Sequence, residues 1–465
     1  MKKLFKTLLV TVLTVVMVMS VAACTGNKVQ GVDTEKHVIT VGNTAATSGV
    51  FQSVGEPFNY ALKARMWYYT EKEGGYKDEN GNKYTIELKH YDDGFDGAVG
   101  TTYTEKLVED DKVFALVGHF GSNTVAATVD YIESKGIPMV YGVCGVPQLF
   151  ETKRNVMTVQ PIYNTEGMSM LATAAAKTDG NIGLGATKIG VIATTDEAGA
   201  AIKAGIQREQ KVLKLTTNKD IFYYDVDASA TDFSSAVNGC KSNGCDVVIV
   251  AANQAPFVNI SNQFVTSNYD NVKIITSYVS ANYATMGGLL ASGVITATRE
   301  VYAGAWVVTG SAPSETKGWK DFVEYVKVLT AYDKAQGKTL LKDTDATYGT
   351  YIKLYFDGME WAKDGVSPYF LNSYAIAGYV AGDVFVQGLS RCSGKKLTWK
   401  SYIDAMESAD VNVPMGKSIS YANGKRIGID ALAVNKYTVA NLAVGEVYRE
   451  ITFLTDIEAK NGFAK

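Results

Sequence analysis

The sequence predicts an α/β protein of two doubly wound parallel-sheet lobes, and three observations predict it. The chain has 465 residues, enough apolar material for more than one core. Its composition, 46% hydrophobic and 20% charged with only 8 Pro, is that of an ordinary globular protein and excludes disordered and collagen-like classes. Short apolar strands alternate with amphipathic helices in two separate runs of about 130 residues. Basic and acidic residues nearly balance, 45 against 48, so composition points to no nucleic-acid partner.

From the N-terminus, Lys2, Lys3 and Lys6 precede a stretch from 7 to 23 that is almost uninterruptedly apolar, and small residues follow. This is the tripartite pattern of a secretory signal. Read instead as a retained anchor, the stretch is at the short limit for spanning a hydrocarbon core of about 30 Å. Val21-Ala22-Ala23-Cys24 decides for the signal, because it resembles a bacterial lipobox, in which a branched residue and two small ones precede a cysteine. That resemblance implies a lipoprotein signal peptide over 1–23, lipidation of Cys24 and an extracytoplasmic protein anchored to the bacterial membrane, since several acyl chains anchor stably where one does not. Without the segment, 42 basic residues face 48 acidic ones, a net charge near −6. Residues 24–37 are polar, carry Gly26 and Gly31, and read as a flexible tether. No other apolar run reaches about 18 residues.

The folded body begins at His37. Strands are expected at 38–41, 84–90, 113–117 and 137–141, with helices at 56–72, 98–109 and 123–135 between them. Phe58, Ala61, Leu62, Met66 and Tyr69 repeat at the 3.6-residue period of one buried helix face, and Pro57 suits that helix's first turn. A second run follows: strands 188–193, 220–224, 246–251 and 273–276, helices 197–213, 231–243 and 255–268, with Phe233, Ala236, Val237 and Cys240 as a buried stripe. Strands covered by helices on both faces indicate parallel sheets. Further on, helical periods recur around Ile352 to Met359 and Trp399 to Met406, and the chain returns to strands at Ala431–Val434 and Glu446–Phe453.

Several chemistries lack their residues. The three histidines, His37, His90 and His119, form no zinc motif, and Cys144, Cys240, Cys245 and Cys392 match no C-x-x-C, zinc or haem spacing. They read as structural thiols, although Cys240 and Cys245 flank a helix-to-strand turn where a small disulfide is possible in an exported protein. There is no P-loop and no nucleophile elbow, and Gly183-Leu-Gly185 precedes a strand and reads as a turn. Asp92, Asp93 and Asp96 lack the later acidic ligand of a calcium loop, so capping of the next helix is their expected role. No metal, cofactor or catalytic residue is expected. The informative segment is Val113 to Thr124, where a buried strand runs through Gly118, Gly121 and Ser122 into a helix. Two readings are open for Ser122: with the free N–H groups of the first turn it holds an anionic group, or it caps its own helix.

These residues are where the chain resembles a known family, the branched-chain amino acid (Leu/Ile/Val) type of ABC-transporter solute-binding protein with a type I periplasmic-binding fold. The similar stretches are Thr47-Ser-Gly49 with Gly55-Glu-Pro57, Tyr91-Asp-Asp93 with Asp96, Leu107 to Gly118, Gly121-Ser122, Gly136 to Val140, and more weakly Asp232-Phe233 and Gly244 to Val248. The likeness runs from Val38 to Val308 and is loose beyond. It implies a three-segment hinge joining an N-terminal lobe (38–163 with 308–426) to a C-terminal lobe (164–307 with 427–465). The implied protein is a monomer and not an enzyme, closes on a small solute, and passes it to an ABC permease and ATPase. A ligand-sensing lipoprotein acting with a membrane receptor, or a binder of an aromatic acid or amide, is the alternative.

By the same resemblance Ser122, beside Gly121, takes the ligand's carboxylate, and the loop Gly142-Val143-Cys144-Gly145 supplies backbone groups. Gly145 stands where a Thr or Ser hydroxyl is expected. An acidic partner for an ammonium is replaced by Tyr278, and an aromatic by Ala198, beside Asp196 and Glu197. Burying an unpaired ammonium is prohibitive. Either Asp196 or Glu197 substitutes, or the ligand is not an amino acid. Phe51, Tyr141, Asn253 and Tyr278 are expected on loops facing the cleft, where aromatics stack on a ligand or simply pack. The segment 338–372 looks longer than the family's and reads as a lobe element.

Overall fold

The computed structural model describes residues 29–149, 154–176, 183–308, 314–426 and 428–454. The apolar signal stretch and Cys24 lie outside them. The first sheet is built from β1 (Val32–Asp33), β2 (Val38–Thr44), β3 (Thr85–Tyr91), β4 (Leu116–Val117), β5 (Met139–Val140) and β6 (Val156–Met157). β3, β2, β4, β5 and β6 run parallel in that order, and β1 adds to β2 antiparallel. The assigned β4 is shorter than the expected 113–117, yet ladder bonds continue from Phe114 N to Thr40 O and from Gly42 N to Ala115 O. Between the strands lie α1 (Gln52–Lys72), α2 (Gly97–Glu109) and α3 (Ser122–Lys135).

Two details differ from the sequence reading. The described part of the expected tether, from Val29, is fastened to the sheet. β1 pairs with β2, Gln30 Nε2 donates to Val108 O and Val113 O, and Gly31 lies so close to Phe114 that a Cβ would fall 2.0 Å from its backbone nitrogen. The second is α1, which starts at Gln52 after a 3₁₀ turn, so Pro57 sits inside it; there the missing N–H forfeits one bond, to the carbonyl of Ser53. Asp96 caps α2 as expected, accepting from Ala98 N and Val99 N.

The second sheet carries β7 (Ile189–Thr194), β8 (Ile221–Val226), β9 (Val247–Ala251), β10 (Lys273–Thr276) and β11 (Glu300–Ala305), all parallel in the order β8, β7, β9, β10, β11. The antiparallel hairpin β12 (Ala431–Thr438) and β13 (Asn441–Phe453) extends it from β11. Its helices are α4 (Tyr163–Ala175), α5 (Glu197–Leu213), α6 (Ser234–Asn243), α7 (Gln254–Thr266) and α8 (Tyr283–Ala291). The stripe Phe233, Ala236, Val237 and Cys240 is buried as expected. Cys240 and Cys245 are buried free thiols in this structure.

The chain thus passes from the first sheet to the second after β6 and returns after β11. It then forms α9 (Lys317–Ala335), α10 (Gly349–Phe356), α11 (Ser373–Cys392) and α12 (Trp399–Glu407), and crosses again into β12. α11 lies along α1, where Gly378 permits the approach: a Cβ there would sit 2.0 Å from Phe58 O. The largely buried pair Arg65 Nε to Asp383 Oδ1, 2.7 Å, ties the same two helices. No described helix is long and apolar enough to cross a membrane.

Candidate functional site

In open α/β sheets ligands sit beyond the carboxyl ends of the strands. Here those ends, from both sheets, surround two adjoining cavities. The smaller, about 50 Å³, is lined by Phe51, Gly121, Ser122, Val143, Tyr163 and Asn253, among others. The larger, about 140 Å³, is walled by residues that include Tyr141, Tyr278, Asn282, Trp306, Ile376 and Tyr437. Phe120, Val143, Val279 and Tyr374 border both, so the two are parts of one cleft. Tyr374, on α11, reaches across to Val279 O at 2.7 Å and Gln254 Oε1 at 2.9 Å, so the halves meet around the cavities.

Ser122 is the first residue of α3. The N-cap is Gly121, held at φ +103, and no side chain caps the helix. The Ser122 hydroxyl instead lies 3.2 Å from Tyr163 Oη, buried in the smaller cavity's wall. Tyr163 also explains Gly145: a Cβ there would fall 2.7 Å from its Cδ1, so no hydroxyl-bearing residue fits, and the tyrosine's own hydroxyl meets Ser122. Phe51 stacks on Phe95 at 4.3 Å. Asn253 opens α7 and donates through Nδ2 to Asp196 Oδ2 at 3.3 Å.

Tyr141 and Tyr278 line the larger cavity through a closed polar chain. Tyr141 donates its hydroxyl proton to Gln160 Oε1 (2.7 Å), Gln160 Nε2 donates to Tyr278 Oη (2.9 Å), and Tyr278 donates to Pro161 O (2.8 Å). Beneath Tyr278 lies Glu166 of α4, fully buried, accepting from Tyr278 N at 2.7 Å and from Ser277 Oγ at 2.8 Å. Burial pushes its carboxyl up to about 8, against the pull of those two hydrogen bonds.

Three residues expected near the ligand do not line these two cavities. Asp196 Oδ1 caps α5, accepting from Gly199 N (3.0 Å) and Thr194 Oγ1 (2.7 Å), while Glu197 is exposed. Cys144 turns into the apolar core, where burial pushes its thiol up to about 12. The lining residues of both cavities include no Asp, Glu, Lys, Arg or His. Nor is any group of three or more His, Cys, Asp or Glu among the described residues placed to hold a metal ion.

Sequence reasoning missed Trp306, Asn282 and Tyr374. Trp306 follows directly on the apolar run Val301 to Ala305, so extending the strand-end rule one strand further would have found it. Asn282 and Tyr374 carry no local signal, because their place in the cleft depends on how the second crossing returns α11 to face β10.

Comparison with known proteins agrees with this architecture. Among solved structures, the chain is similar to a fatty acid ABC transporter substrate-binding protein from Thermomonospora curvata (TM-score 0.68, 15% identity, covering 91% of this chain and 94% of that one). It is also similar to a leucine binding protein from Thermotoga maritima MSB8 (0.63, 14%, 86% and 96%) and to an ABC transporter solute binding protein from R. palustris in complex with benzoate (0.63, 16%, 90% and 98%). At such identities these likenesses establish the fold. Residues 38–305 match the family model described as periplasmic binding protein, and the chain belongs to that family of binding proteins, which are not enzymes.

Proposed function

We propose that the protein is the extracytoplasmic solute-binding lipoprotein of an ABC importer. It holds a small carboxylate or amino-acid-like solute between two lobes, 38–163 with 308–426 and 164–307 with 427–465, and delivers it to a permease and its ATPase. The lipid on Cys24 keeps it at the membrane. The observation that carries this reading is the pair of joined cavities at the strand ends of both sheets, with Ser122 on one wall and Tyr278 on the other. A solute touching both walls adds to the closed arrangement contacts that the open one lacks, so binding shifts the population towards closure. The neighbours described as fatty acid, leucine and benzoate binders support the class of activity.

The test is to extract the purified full-length chain under denaturing conditions and identify released small molecules by mass spectrometry, then titrate each back calorimetrically. A stoichiometric solute that rebinds, and whose affinity falls at least tenfold in Ser122→Ala, is expected. Natively folded protein that releases nothing and binds no carboxylate or amino acid contradicts the proposal. The same spectra report the mass of the N-terminal peptide, and an unmodified Cys24 removes the lipid anchor.

A further inference from the structure

Resting on the reading of this cleft as the solute site, we infer that the excursion from Leu341 to Val366 is a clasp between the two halves, in which Tyr348 and Tyr351 are positioning residues that hold Tyr283 in the wall of the larger cavity. Tyr283 opens α8 and lines that cavity. The ring of Tyr348, directly before α10, lies 5.5 Å from the ring of Tyr283, and that of Tyr351, one helical turn on, lies 6.2 Å away and edge-on. Tyr348 and Tyr351 line neither cavity, so they act on the solute site through Tyr283.

The three rings come from different halves. α8 is rooted in the core of the second sheet through Met286 and Leu289, while α10 is rooted beside α1 and α9 through Ile352, Tyr355 and Phe356. Those five side chains are buried, whereas Tyr283, Tyr348 and Tyr351 are half-buried, which sets the trio at the boundary between the two cores. The excursion is seated by bonds of its own. Leu341 N donates to Val366 O at 2.9 Å and Val366 N to Leu341 O at 2.8 Å, closing its base. Asp345 Oδ1 accepts from Thr347 N (2.9 Å) and Tyr348 N (2.8 Å), which fixes the backbone that carries the first ring. On its inner side Tyr348 meets the buried ring of Phe370 at 5.8 Å, and the chain runs on from there into Leu371, Ser373 and Tyr374 of the same cavity wall.

Rings seated on one half and pressed against a ring of the other make contacts that exist when the halves are together and are lost when they part. Two aromatic pairs are worth on the order of tenfold in an equilibrium constant. The closed arrangement therefore draws stability from residues that never touch the solute, and apparent affinity follows the fraction of molecules that are closed.

The test is a distance measurement across the clasp in the full-length chain, by double electron–electron resonance between spin labels on Leu354→Cys and Gly288→Cys. Leu354 is exposed, Gly288 has open space around a Cβ, and the four described cysteines are buried. Spectra are recorded alone and with L-leucine, benzoate or octanoate, each also titrated calorimetrically. Replacing both rings, Tyr348→Ala with Tyr351→Ala, should lower the ratio of short to long distances at least fivefold and weaken any of these probes that binds about tenfold. Tyr351→Ala alone should act in the same direction, and it decides the matter if the double variant fails to fold. Tyr283→Phe, which keeps the ring, should leave the ratio unchanged. With Tyr283→Ala already present, removing the other two rings should add little, a coupling that general loss of packing would not produce. Unchanged distances with and without probes, a bound probe whose affinity does not move, or a full further effect on the Tyr283→Ala background overturns the clasp. The importer reading is decided separately by solute release and rebinding, and stands if the clasp falls; if no probe binds, the distances alone decide the clasp.

Discussion

Aromatic rings gather in two regions of this molecule with opposite outcomes. In the cluster between α9 and α10, Trp319, Phe322, Tyr355 and Phe356 pack on one another, with Trp319 to Tyr355 at 5.5 Å and Phe322 to Phe356 at 6.1 Å. In the cleft, Tyr141, Tyr278, Trp306 and Tyr437 surround a cavity. The difference lies in what carries the rings. Trp319, Phe322, Tyr325 and Val326 share one face of a single helix at the i, i+3, i+4 spacing, so their backbone delivers them to the same neighbours. The cleft rings come from the ends of separate strands on two sheets, which diverge and leave room between them. Trp319, Phe322, Tyr355 and Phe356, carried on α9 and α10, become core here, and the rings at the strand ends become wall.

This contrast can be broken most forcefully at Phe322. Phe322→Ala should cost about 3–5 kcal/mol of unfolding free energy, because the cluster has to absorb a ring-sized void. Solute affinity should stay at its original value, measured by denaturant unfolding and calorimetry on the same sample. A loss of affinity matching the loss of stability would mean that the cluster and the cleft are not separate.

A second, smaller effect separates the regions by pH. Glu166, under the cleft wall, is held near 8 by burial, above its ordinary 4.5. The folded state therefore retains a proton that the unfolded chain releases. Stability from this group is complete below pH 4.5 and is lost as pH rises towards 8, at up to about 1.4 kcal/mol per unit. His119 opposes it at lower pH. Burial brings it down to about 4, so its contribution is present above 6.5 and is lost as pH falls from there. From pH 6.5 to 8 Glu166 contributes to the slope where His119 no longer does, and Glu166→Gln should flatten the stability profile there. An unchanged slope in the variant would assign the pH dependence elsewhere.

The smallest effect concerns the polar chain behind the cleft. Tyr278→Phe removes the hydroxyl that joins Gln160 to Pro161 and should lower stability by about 1 kcal/mol, read as a shift in denaturation midpoint at constant slope. No change would mean that the chain neither orients Tyr278 nor holds the cavity wall.

Much of the fold was legible because its strands and amphipathic helices obey their own periods. The runs 38–141 and 188–276 alternate strand and helix in the sequence as they do in space. α11 was not legible: it is apolar nearly all round, from Ala375 to Leu389, and so shows no 3.6-residue stripe. Only its burial between α1, α9 and the first sheet reveals why such a helix exists. In the cleft, Ser122, Tyr141, Val143 and Tyr278 line cavities, each at or just beyond a strand end or a helix start. Asp196, expected as a ligand partner, caps α5 through Oδ1, because a carboxylate before a helix serves equally well as a cap.

The sequence by itself determined the two parallel sheets, the helices that cover them and the strand-end loops from which a cleft had to be built, since hydrophobic period and helix-start residues are local properties. Only the tertiary structure decided what that cleft contains. Which hydroxyls consume which acceptors and whether the space beside Gly145 is filled by Tyr163 depend on residues that meet in space, some as far apart in the chain as Gln160 and Tyr278 or Gln254 and Tyr374. Hydrogen-bond satisfaction is a sum over neighbours in space, and no stretch of chain carries it alone.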